Sequence, residues 1–150
     1  MEINGLPLHA LVVHAAVIFG PLSALAGILY AVVPRWRDAL RWPLVVTVAI
    51  AVGAVWVAYL SGGWVKDANG PYSGEFADLV DTHESRAKIL RWVASGFAVV
   101  VFAAAWWHTR PGALRGVLTA LVGVGAIATG IYVVLVGDAG AQAAWYGVDG

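Results

Sequence analysis

Long charge-free apolar runs alternate with short polar breaks along this chain. The first run, Leu6 to Val33, contains no Asp, Glu, Lys or Arg. As a helix it would span roughly 40 Å, more than the hydrocarbon core of a bilayer. Pro7 suits a first helical turn, Gly20-Pro21 predicts a mid-span kink, and Pro34 ends the segment. A second uncharged run opens at Pro43 and stops at Ser61-Gly62-Gly63. The third carries Phe76, Val80, His83, Ala87, Leu90, Ala94, Phe97 and Val101 at the spacing of one helical face. That stripe predicts a helix rising from Glu75 to His108, or one starting at Asp81, whose carboxylate with Glu84 would form a capping box. The fourth run, Leu114 to Val136, is punctuated by Gly116, Gly123, Gly125 and Gly130, which permit close helix packing in lipid.

These elements predict an all-α fold: a four-transmembrane-helix bundle, up-down-up-down, with both termini on the same, outer side. A single integral membrane domain covers 1–150, with spans at about 7–33, 43–62, 82–108 and 114–136 and an outer loop at 63–81. Composition agrees, since 61% of residues are hydrophobic and only 12% charged, against about a quarter charged in soluble domains. A cleaved leader is not expected, because Glu2 stands where a basic segment belongs and the apolar run is too long.

The short links carry Arg35, Arg37, Arg41, Arg110 and Arg115 against Asp38, while the opposite side holds Lys66, Arg86, Lys88 and Arg91. This places the links inside and the termini outside a bacterial cytoplasmic (inner) membrane. Aromatic residues mark two interfaces: Tyr30, Trp36, Trp42, Trp106 and Trp107 on one side, and Tyr59, Trp64, Tyr72, Trp145 and Tyr146 on the other. A formal net charge of zero gives no reason to expect a nucleic-acid partner. The absence of cysteine excludes disulfides, thiolate metal sites, covalently attached c-type haem and a cysteine nucleophile.

Candidate chemistry rests on histidine. Counted from the arginine-rich side, His9, His14, His83 and Asp138 come out at roughly 37, 30, 40 and 34 Å, so separate helices deliver polar groups to one outer mouth. Imidazole is a common metal ligand, and a histidine within a span is costly enough to suggest a role. His9 and His14 are about 140° apart around one helix, unlike an i, i+4 metal pair. His14 with His83 is therefore the expected first-choice ligand pair for haem b or a divalent metal, with His9 and Asp138 completing the site. Asp81, Glu84 and Arg91 are the expected supporting groups. The plainer alternative has these histidines bonding to backbone groups or to Asp81, Glu84 or Asp138 for structure alone. A proton- or quinone-linked site is a further alternative. His108, beside Trp107, reads as an interfacial residue. Gly123-Val124-Gly125 lacks the spacing of a dinucleotide fingerprint, and no serine forms a nucleophile elbow.

The opening NGLPLHALVVHAAVIFGPL resembles a bacterial family of small four-span predicted membrane proteins of unknown function, which begin with a His-Pro-x-x-Val-His type signature. Here that signature is His9-Ala10-Leu11-Val12-Val13-His14, with Ala10 where proline is usual. His83-Glu84 and Gly137-Asp138-Ala139-Gly140-Ala141, leading to Trp145, also resemble the family pattern, so the likeness covers essentially the whole chain. It implies a four-helix membrane domain and directs attention to His9, His14 and His83. Some relatives carry a histidine in place of Asp138, a departure that weakens any four-histidine site in this chain.

The resulting functional expectation is a non-enzymatic accessory or redox-associated membrane subunit with a histidine-containing outer mouth. The alternatives are a helix-packing module, docking through its fourth helix onto a second copy or a larger complex, and a small transporter or channel. Against the last stand the lack of an evident internal repeat and of an intramembrane carboxylate.

Overall fold

The computed structural model describes residues 2–3, 6–69 and 71–147. Four helices dominate: α1 (Leu8–Val32), α2 (Arg37–Asn69), α3 (Glu75–Trp106) and α4 (Ala113–Trp145). A two-stranded antiparallel hairpin, β1 (Glu2–Ile3) and β2 (Leu6–Pro7), pairs Glu2 with Pro7 and leads directly into α1. Pro34–Trp36 forms one 3-10 turn between α1 and α2. Gly74 and Gly112 sit immediately before α3 and α4 with φ of 65° and 127°, conformations that a residue with a Cβ rarely adopts.

All four helices are long and apolar enough to cross a membrane. Their outer faces present Val17, Ile18, Leu25, Val99, Val124 and Val134, a surface that suits acyl chains and would be costly in water. On α2, Trp42 and Trp64 are both exposed. They stand about 33 Å apart along the helix, close to the thickness of a hydrocarbon core.

Both α1 and α3 pack against α2 and α4. Every neighbouring pair is antiparallel, as the contacts show. A Cβ on Gly20 would meet Val133, one on Gly27 would meet Ala126, and one on Gly123 would meet Ala31. Between α2 and α3, Trp56 bonds Ser95 and Lys66 bonds Asp81. Between α3 and α4, a Cβ on Gly125 would meet Phe97, and one on Gly140 would meet His83. The principal core gathers Tyr30, Leu44, Val48, Phe97, Val101, Val122 and Ala126, and a second cluster joins Val55, Leu90, Ala94 and Val133. With no hydrophobic drive between helices in lipid, contact area supplies the association, which is why glycine and alanine line the α1–α4 seam.

The stretch 63–81 is mostly helical rather than a loop, because α2 continues to Asn69 and α3 already begins at Glu75. Ion pairs sustain this extension: Lys66 lies 2.8 Å from Asp81 and 2.7 Å from Glu84. Asp81 is thereby an interior helical residue and not the start of α3. The longer of the two starts, from Glu75, is the one adopted, and the apolar stripe through Leu90, Ala94, Phe97 and Val101 is its buried face. Pro21 and Pro43 both lie inside helices.

Candidate functional site

At the end of the bundle where α1 begins and α4 finishes, two imidazoles turn inward from α1 and α3. His9 reaches α2, where its Nδ1 lies 3.0 Å from the Ala58 carbonyl and 3.2 Å from Ser61 Oγ. His83 reaches α4, with Nδ1 3.1 Å from the Val136 carbonyl. A carbonyl can only accept, so each Nδ1 carries the hydrogen and donates it. The tautomer of each ring is thus fixed, and the Nε2 lone pair is left over. Neither Nε2 has a hydrogen-bond partner among the described residues.

Glycine makes room for both rings. A Cβ on Gly62 would come within 3.1 Å of the His9 ring, and one on Gly140 within 3.0 Å of the His83 ring.

The other expected members lie elsewhere. His14 is exposed on the outside of α1, and its Nδ1 donates back to the Ala10 carbonyl at 2.6 Å. The structure therefore does not bring His14 to His83, and His9 takes the inward position. The reason is helical phase: five residues rotate the side chain by about 140°, so only one of the pair can face inward. Asp81 and Glu84 serve Lys66 rather than a histidine. Those two hydrogen bonds raise the Lys66 ammonium above its ordinary value, Asp81 contributing most.

Asp138 is exposed, accepts a hydrogen bond from Gln142 at 2.9 Å and lies 3.7 Å from Arg86, which itself donates to the Leu135 carbonyl. Arg91 pairs with no carboxylate among the described residues. Its guanidinium sits against Tyr59 at 4.1 Å, Trp56 at 5.1 Å and Trp92 at 5.2 Å, a cation–π box between α2 and α3. No group of three or more His, Asp or Glu poised to hold a metal occurs among the described residues.

A second polar cluster, at the arginine-dense end, went unread in the sequence. His108 lies at the level expected of it but is buried, with 3% of its surface exposed. Tyr30 lies 2.9 Å from His108 Nδ1, and His108 Nε2 lies 2.5 Å from Asp38. The carboxylate must accept, so Nε2–H donates to Asp38 and, in the neutral ring, the Tyr30 hydroxyl donates to Nδ1. Asp38, outside the apolar spans, has its carboxyl held below the usual range by the His108 hydrogen bond and then by the charge of that ring. Arg37 donates to the carbonyls of Tyr30 and Ala31, closing the end of α1. Tyr30, Asp38 and His108 lie on different segments, and no sequence spacing links them.

A bundle of four antiparallel helices, each long and apolar enough to span a bilayer, is an integral membrane protein with four spans. The chain belongs to the family described as "Predicted membrane protein (DUF2231)", whose family model matches residues 5–149. Neither the curated proteins nor the solved structures contain a match to this chain.

Proposed function

We propose that the protein is a non-enzymatic, redox-associated accessory subunit of the bacterial cytoplasmic membrane, and that its outer mouth holds an imidazole-seeking group through His9 and His83. The group is haem b iron or a divalent transition metal. One observation carries this reading: both rings donate Nδ1–H to main-chain carbonyls, the arrangement that orients a ligating histidine and raises the basicity of its Nε2. The excess of arginine at the opposite end supports a cytoplasmic location for the two short links and an outer location for the termini.

The test is an oxidised and a reduced optical spectrum, with metal analysis, of protein purified from haem- and metal-replete cells. A Soret band or one transition metal per chain, absent from His9→Ala and His83→Ala and retained in His14→Ala, is the expected result. Protein without either group overturns the reading.

A purely structural role is the second reading. It is favoured by the same bonds, since His9 ties α1 to α2 and His83 ties α3 to α4. In that case both alanine variants lose stability while the wild type carries no chromophore and no metal.

A further inference from the structure

The arginine-dense end contains a cleft between α2 and α3 of about 150 Å³, lined by Arg41, Trp42, Val45, Phe102, Ala105 and Trp106. Its walls are apolar apart from one guanidinium. Arg41 stacks 4.8 Å from the centre of the Trp42 ring. Its Nε is buried and has no hydrogen-bond partner among the described residues, so an acceptor arriving from outside would meet the terminal N–H groups of the guanidinium.

Neighbouring residues do not supply one. Arg37 is engaged with the carbonyls of Tyr30 and Ala31. Asp38, the only acid in the two short links, is held by His108. Arg115 likewise has a buried Nε with no partner among the described residues. Five arginines against one aspartate leave this end with surplus positive charge and too few acceptors.

Trp42, Phe102 and Trp106 are all exposed, so the cleft opens toward the bilayer rather than into the bundle. An occupant must therefore be amphiphilic and anionic, and must arrive from the membrane. We propose that this cleft is a binding site for an anionic phospholipid. The phosphate sits on Arg41 and an acyl chain lies along Val45, Phe102 and Ala105. Trp42 and Trp106 frame the headgroup at the level where tryptophan settles in membranes. The planar guanidinium fork matches phosphate oxygens better than an ammonium would.

The site is independent of the histidine mouth, and its test does not involve it. Delipidated protein in mild detergent is titrated with phosphatidylglycerol or phosphatidylcholine, and bound lipid is counted by native mass spectrometry. The wild type is expected to retain phosphatidylglycerol in preference to phosphatidylcholine. Arg41→Gln should bind phosphatidylglycerol roughly fivefold more weakly, and Arg35→Gln, which alters an exposed arginine outside the cleft, should bind as the wild type does. Ala105→Leu, which fills the cleft with Arg41 in place, should also lose the lipid. Equal binding of the two lipids by the wild type overturns the proposal, as does undiminished preference in folded Arg41→Gln. Displacement of the lipid by millimolar inorganic phosphate also overturns it, because the site then reads a free anion.

Discussion

Gly27 and Gly53 are both mid-helix glycines, yet their surroundings give a substitution opposite signs. A Cβ on Gly27 would lie 2.8 Å from Ala126 Cβ and 2.9 Å from Phe97 Cζ, whereas one on Gly53 meets nothing within 4 Å. Gly27→Ala should destabilise the bundle by about 1–3 kcal/mol through overpacking. Gly53→Ala should stabilise it by roughly 0.5–1 kcal/mol through helix propensity. Thermal unfolding of both variants in one detergent measures the contrast. The same scale explains why His9 rather than His14 turns inward. The buried residues of α1 are Gly20, Ser23, Ala24, Gly27 and Tyr30. Continued backwards at steps of three and four, that stripe passes Ala16 and Val13 and arrives at His9, leaving His14 off it. The small-residue stripe was the readable signal, and apolarity was not, because α1 is apolar on every face.

Elements are joined at their ends by polar devices that the hydropathy pattern does not record. Tyr30 at the end of α1, Asp38 at the start of α2 and His108 just after α3 form one hydrogen-bonded set. Since the folded-state value for Asp38 lies below its unfolded value of about 4, its contribution is fully present above that pH. It is lost as pH falls through the lower, folded-state value. Acidification from about pH 5 to pH 3 should therefore loosen the wild type more than Asp38→Asn, which should be the less stable of the two at neutral pH. Unfolding midpoints across that range check the sign. At the other end, Lys66 clamps Asp81 and Glu84 and holds α2 and α3 together beyond their apolar lengths. The polar composition of 63–81 suggested a loop because charged residues next to a span read as solvent-exposed. Helix and exposure are compatible here, because cross-helix pairing gives the charges partners.

For the molecule as a whole, the histidines and most charged groups divide between two ends, and the middle is mainly apolar, with Ser23 and Thr129 buried in it. The chain contains no cysteine, so orientation can be tested with single introduced thiols. Ser73 lies between α2 and α3, and Thr109 between α3 and α4, both exposed. In intact cells a membrane-impermeant maleimide should label Ser73→Cys, and Thr109→Cys only after permeabilisation. The reverse pattern would invert the proposed orientation. The glycines of α4 also find their explanation at this scale: Gly123, Gly125 and Gly130 are occupied by Ala31, Phe97 and Ala24 within the bundle itself.

The amino-acid sequence by itself determined the solvent, the number of crossings and the levels at which aromatic and basic residues stop. These follow from composition and length measured against a bilayer of known thickness. Tertiary structure decided which residues face one another: His9 rather than His14, Tyr30 with His108, Arg91 with three aromatic rings, and Arg41 at the mouth of an apolar cleft. In water a helix announces its buried face by hydrophobic contrast, but in lipid both faces are apolar and the contrast disappears. Facing then depends on how small residues let backbones approach, and that is settled only when all four helices pack.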